Sequence, residues 1–462
     1  MNLRSLLTSI RPMLMGLLPV MTSLGDTVAD RERQITDAAY GHILTNVGVW
    51  SPDGRWIVYD VRSDAAGEKF DGSRIEAVNV ETREVRVLYE SRHGAHCGVA
   101  TFHPKLWQVV FIHGPERPTS DWSYGPFHRQ GVLVDWERPG IGRSLDARDL
   151  IPPFTVGALR GGSHVHVFND AGDRVSFTYE DHVLAMAPAA PGTERNLRNV
   201  GVSVIGRPVA VKPGHPRNHD GTAFTVLVTR TTDEPRPGSD EIQKAFEEGW
   251  IGTEGYRRSD GSRQRYALAF QGHVRGPKGE TNAEVFVVDL PEDLSVAGET
   301  PLPGTSTRRP GVPRGVTQRR LTRTAERKFP GLQGPRHWLR SSADGSQIGF
   351  LMKDDHGVAQ VWTISPNGGD PRQITQGPDA VASAFTWSAD GTRIAHVLDG
   401  SICVTRVQDG QTRRLTPKVE GEGAPRAEAC VFSPSGDRIA YVRRVPDGMG
   451  RIFNQIFVVK SP

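Results

Sequence analysis

Short runs of alternating apolar and polar residues recur along this chain, each bounded by a cluster of Ser, Pro, Asp, Asn or Gly. Period-two alternation between turn residues predicts half-buried β-strands joined by tight hairpins. One phrase organises them. Val49-Trp50-Ser51-Pro52-Asp53-Gly54 enters a turn on an apolar pair, and Arg55-Trp56-Ile57-Val58-Tyr59 leaves it as an alternating strand. The phrase returns at 431–441, 386–395 and 167–177, and its turn and exit return at 344–350. A second pattern follows each copy: an apolar strand, a turn, and a strand ending in Leu/Ile-Thr. Gln360-Val361-Trp362-Thr363-Ile364 leads to Arg372-Gln373-Ile374-Thr375, and Ile402-Cys403-Val404-Thr405 leads to Arg413-Arg414-Leu415-Thr416.

The unit is therefore four short strands at a period of roughly 40 to 50 residues, which predicts an all-β fold, the β-propeller. Units fall at about 46–90, 97–150, 164–205, 220–322, 337–375, 383–416 and 428–459, giving seven blades. The last lacks an outer strand. Arg33-Gln34-Ile35-Thr36 reproduces Arg372-Gln373-Ile374-Thr375 and is expected to complete that blade from the N-terminal end, closing the ring and pairing an exposed edge. The expected organisation is an N-terminal extension over 1–30 and one propeller domain over 31–462, with an insertion around 232–318. Within that insertion, Glu241 to Glu248, flanked by Gly238-Ser239-Asp240 and Gly249, is expected to form a short helix.

Composition narrows the function classes. A net charge of +3 over 462 residues gives no electrostatic case for nucleic acid. Three widely spaced cysteines, Cys97, Cys403 and Cys430, exclude a disulfide framework and a Cys-x-x-Cys metal site. Arg4 and Arg11 precede the apolar run 13–21, and Ser23-Leu24-Gly25 offers a small-x-small cleavage site, so a signal peptide and a periplasmic or secreted location are expected, with the cytoplasm as the alternative. That run is too short for a transmembrane segment. No Gly-x-Ser-x-Gly elbow, P-loop, dinucleotide fingerprint or His-Glu-x-x-His is present.

The repeat also points to the channel. The residue four before each Trp50 equivalent lies on the innermost strand, and one level carries Asn46, Gly98, His164, His337, Ser383 and Glu428. Asn46, His164, His166, His337 and Glu428 are the candidate channel and ligand-binding residues. Strand alternation points His164 and His166 the same way, at a spacing one metal ion could bridge. His337 is the third metal candidate, with Glu428 or His96 in reserve. A metal site, a metal-free ligand channel and purely structural histidines all remain open. The ligand is a small molecule, a glycan or a protein partner.

The phrase with its Leu-Thr ending resembles the TolB-type, WD40-like propeller repeat. Longer stretches resemble the YidR-type proteins of enteric bacteria, a family of unknown function: Phe111-Ile112-His113-Gly114-Pro115-Glu116, Leu159-Arg160-Gly161-Gly162-Ser163-His164-Val165-His166-Val167-Phe168, Pro237-Gly238-Ser239-Asp240-Glu241-Ile242 and Pro335-Arg336-His337-Trp338. That resemblance implies a link to biofilm and adherence. More distantly, Phe102-His103-Pro104 through Glu116, with the His164/His166 pair, is similar to oligogalacturonate lyase, a seven-bladed propeller that uses a channel metal for β-elimination from uronate chains. This likeness implies one divalent ion (Mn, Ca or Zn) and a base, for which Arg160 and His96 are the candidates. The Gln and the His that complete that family's site fall here on Gly161 and Val99.

Overall fold

The computed structural model describes residues 32–462, so the signal-like extension lies outside the described residues. Seven four-stranded antiparallel sheets form the seven blades. They span 41–90, 97–144, 161–227, 242–320, 340–373, 386–414 and 425–460, the last completed by Glu32–Gln34.

The turn phrase is built by side chains within it. Ser51 Oγ donates to Asp53 Oδ1 (2.6 Å) and accepts from the Trp56 N–H (3.0 Å), while the Gly54 N–H donates to the Ser51 carbonyl at 2.9 Å. Gly54 sits at φ 68°, where a side chain is disfavoured. Ser342 repeats the bond to Asp344 at 2.6 Å. In blade two His103 replaces the serine, and its Nδ1 accepts from the Lys105 and Leu106 N–H groups at 3.0 and 2.9 Å. The tryptophan of the phrase ties blades together. Trp50 Nε1 donates to the Val431 carbonyl, Trp250 Nε1 to Val167 and Trp387 Nε1 to Arg340, each at 3.0 Å and each onto the preceding blade.

Where a threonine ends a blade it is equally regular. Thr375, Thr416 and Thr322 accept the N–H of Val361, Ile402 and Val285 on the neighbouring strand at 2.9, 3.0 and 2.9 Å. Thr36 does the same for Ile456 at 2.8 Å, although 420 residues separate them. Glu32–Gln34 pairs antiparallel with Phe457–Val459. The closing strand expected from Arg33-Gln34-Ile35-Thr36 is thus in place. The core lies between blades, where fully buried Val, Ile and Phe residues of adjacent sheets pack face to face.

Three sequence expectations are corrected. Gly221–Leu227 is the outermost strand of blade three, not the start of blade four, and it pairs with Asn199–Val209. Residues 232–318 are not an insertion: Ile242–Trp250, Tyr266–Arg275 and Thr281–Leu290 are the first three strands of blade four. The true additions there are the hairpin around Tyr256–Arg257 and the connection to Thr317–Arg320. The helix expected over Glu241 to Glu248 is therefore the innermost strand. Its spacing is compatible with either element, and burial of Ile242, Ala245, Phe246 and Glu248 between blades decides for the strand. Among the described residues no helix is long and apolar enough to cross a membrane.

Candidate functional site

The inner strands of blades two, three and four share a break in pairing. Val99, Val165 and Glu247 have φ of 56°, 58° and 54°, and the ladder skips at Gly98/Thr101, His164/Val167 and Phe246/Gly249. One extra residue in a strand bends it and re-aims its side chains. Here Val99, Val165 and Glu247 face the channel, while Ala100, His166 and Glu248 are buried in the walls between blades.

These bulges frame one end of the channel as a vestibule of about 760 Å³. Asn46, His164 and Glu428 line it, so three of the five sequence candidates meet there. The other two do not. His166 is fully buried, with Nε2 3.0 Å from Ser163 Oγ, and packs so closely on blade two that a Cβ on Gly131 would lie 2.8 Å from it. The expectation that His164 and His166 point the same way fails because the Val165 bulge breaks the period of two. His337 is committed on both ring nitrogens: Nδ1–H donates to the Pro335 carbonyl (2.9 Å) and Nε2 accepts the Leu351 N–H (3.0 Å). Burial lowers its pKa to about 4 and that of His166 to about 3.

The donor set does not fit a three-ligand metal centre. His337 has no lone pair to give, His166 faces the wall, and the described residues hold no group of three or more His, Cys, Asp or Glu side chains able to hold a metal. Neither candidate base lines the vestibule. Arg160 is buried, paired with Asp181 at 2.8 Å, and donates to the Thr305 and Arg308 carbonyls, so it staples the 305–308 turn to blade three. His96 stands edge-on to Tyr124, with ring centroids 5.6 Å apart, behind the vestibule wall.

What the vestibule does present is a set of arginines on an aromatic wall, shared with the carboxylates of Glu68, Glu247 and Glu428. Arg62, Arg198 and Arg336 line it, paired with Asp60 (2.7 Å), Glu180 (2.5 Å) and Glu247 (2.7 Å). Arg129 differs. It lines the vestibule with no carboxylate partner among the described residues; its Nε is buried without a hydrogen bond, and Nη1 reaches only Tyr124 Oη at 3.5 Å. Beside it, His164 is 5% exposed, and Nδ1 is buried without a partner. Burial, followed by the Arg129 and Arg198 charges and, more weakly, His166 and Arg336, holds that imidazole neutral, with a pKa well below its ordinary value. Phe70 stacks on Tyr124 at 4.9 Å, and Arg336 lies 4.5 Å over the Trp338 ring.

Sequence reasoning missed Arg129, Arg198 and Glu247. Glu247 was findable: Gly249-Trp250 echoes Val167-Phe168, which puts Glu247 level with Val165. Arg129 was not, because it sits in the connection before Gln130–Asp135, outside the repeat.

Fold and site together define a seven-bladed propeller whose channel opens at one end into a vestibule lined by arginines, glutamates and aromatic rings. The chain belongs to the YidR family: it is 48% identical over 415 residues, covering 89% of this chain and 94% of the relative, to the "Uncharacterized protein YidR" of Escherichia coli (strain K12). A family described as "Protein of unknown function (DUF3748)" matches residues 96–219. Among solved structures, an oligogalacturonate lyase in complex with manganese is similar at 13% identity and a TM-score of 0.54, with 93% of each chain covered. The oligogalacturonate lyase of Vibrio parahaemolyticus is similar at 12% identity and a TM-score of 0.51, with 95% of each chain covered. At these identities the likeness is one of fold.

Proposed function

We propose that this propeller is a binding module that captures an anionic ligand, an acidic glycan segment or a small organic acid, in the Arg129–His164 vestibule. The unpaired Arg129 guanidinium carries the reading. A half-buried cation whose Nε is both desolvated and unbonded is costly as it stands, and an incoming carboxylate restores a charge-assisted pair. His164 adds an unpartnered ring nitrogen, and Phe70, Tyr124 and Trp338 supply faces of the kind that sugar rings and apolar bodies pack on. The cavity volume suits a ligand of a few sugar rings at most.

Calorimetric titration with oligogalacturonates, against uncharged galactose oligomers, tests this directly. Saturable binding of the acidic series alone supports the reading, and equal or absent binding of both series removes the acidic-glycan form of it. The enzyme alternative, a divalent-metal elimination from uronate chains, has less support because the donors do not assemble. Unsaturated product appearing in the same samples on addition of manganese would favour it. If the ligand is a surface glycan, the role in adherence or biofilm requires export, and a deletion strain complemented with Arg129→Gln tests that link through its attachment phenotype.

A further inference from the structure

The opposite mouth of the channel is a different environment. The C-terminal ends of the inner strands open there into a funnel of about 440 Å³, walled by Trp50, Phe102, Phe168, Trp250, Trp387 and Phe432. Val47, Val99, Val165 and Trp338 belong to one apolar cluster between funnel and vestibule. Arg340 lines this funnel. It is 8% exposed and makes no ion pair among the described residues, Glu248 being the carboxyl that bears on it. Its Nη2 donates to Asn46 Oδ1 at 2.6 Å, and its Nε is buried without a partner.

We propose that the funnel is a second ligand site, for a carboxylate carried on an apolar body, with Arg340 as the anchor of the carboxylate. Three observations converge. First, the Arg340 guanidinium is buried in the funnel wall, makes no ion pair among the described residues and leaves Nε unbonded, an arrangement an incoming anion stabilises. Second, the carboxyl that bears on it, Glu248, is itself fully buried, with Oε1 unpartnered and Oε2 held by Thr178 Oγ1 at 3.0 Å. Burial pushes its pKa up to about 7, so it is an incomplete countercharge, while Arg340, lowered to about 10, stays protonated at neutral pH. Third, the indole N–H groups of Trp50, Trp250 and Trp387 are all spent on bonds between blades, so these rings offer apolar surface and no donors. The rings outweigh the small polar side chains on the same wall, among them Asn169, Asp170 and Ser342, so the funnel favours an apolar body over a sugar.

Two sources present such a group: a free arylalkyl or fatty acid, and the C-terminus of a polypeptide ending in an apolar residue. Titration of the full chain with 4-phenylbutyrate, with 4-phenylbutyramide, and with a short peptide ending in phenylalanine, as acid and as amide, separates them. Tryptophan fluorescence reports occupancy. Saturable binding of an acid, with the matching amide weaker by at least about tenfold, is the expected result. Tighter binding of the peptide acid assigns the site to a polypeptide terminus, and tighter binding of phenylbutyrate assigns it to small acids. Arg340→Gln should weaken acid binding by at least about tenfold in protein whose thermal unfolding transition shows it to be folded. Arg129→Gln should leave funnel binding unchanged, which keeps this site separable from the vestibule. The proposal falls if acid and amide bind alike, if neither acid saturates, or if folded Arg340→Gln binds as the wild type does. Should that variant not fold, the acid–amide comparison on the wild-type protein decides alone.

Discussion

His337 was a channel ligand on the sequence and is a structural post in the fold, and that difference has a measurable consequence in acid. Its neutral form is fixed by the Pro335 carbonyl on Nδ1–H and the Leu351 N–H on Nε2. Burial lowers its pKa from 6.5 to about 4. Above the unfolded value neither state carries the proton, so stability does not depend on this group. As pH falls from about 6.5 to about 4, the unfolded chain protonates and the folded chain resists, so folding loses roughly 3 kcal/mol through this one residue. His42 and His396, also lowered to about 4, act in the same sense. Urea unfolding of wild type and His337→Gln, followed by tryptophan fluorescence from about pH 8 to about pH 4, measures the effect. The variant should be less stable by about 1–3 kcal/mol at the alkaline end, where bonds to buried backbone groups are impaired. The gap should close as pH falls, because the variant no longer has that proton to refuse. Two curves that stay parallel through the window would refute the reasoning.

Thr36→Val removes the acceptor for the Ile456 N–H and should cost about 1–3 kcal/mol, read as a lowered urea midpoint. The loss should be no smaller than for Thr416→Val, since both close a blade in the same way. Arg160→Met leaves Asp181 buried and unpaired, at a cost of about 3–5 kcal/mol, and adding Asp181→Leu should restore much of the loss. An unaltered midpoint in the single variant would contradict the staple role. Gly131→Ala should destabilise, because its Cβ would meet His166 Nε2 at 2.8 Å, and His166→Ala in the same chain should relieve part of the penalty.

The fold was legible because its signals are local and repeated. Ser51, Asp53 and Gly54 satisfy one another inside one turn, so the letters alone report the geometry, and Thr36 could be matched to Thr375 because both do the same bonding. The site was legible in part. Alignment placed Asn46, His164 and Glu428 at one level, and they do share the vestibule. Beyond the Val165 bulge the alternation argument fails, and no residue letter announces that φ of 58°. The acidic run at Glu241 to Glu248 reads locally as a helix, and only packing between blades makes it a strand. Arg129 stands outside the repeat, so its meaning arises from what the fold sets beside it.

The central claim, that Arg129 anchors an anion in the vestibule, is tested most directly by titrating trigalacturonate into wild type and Arg129→Gln at low and high salt. The account predicts saturable binding by the wild type that weakens with salt, and a loss of at least about tenfold in the variant, with its unfolding midpoint little changed. Equal affinity of the two proteins for trigalacturonate would contradict it.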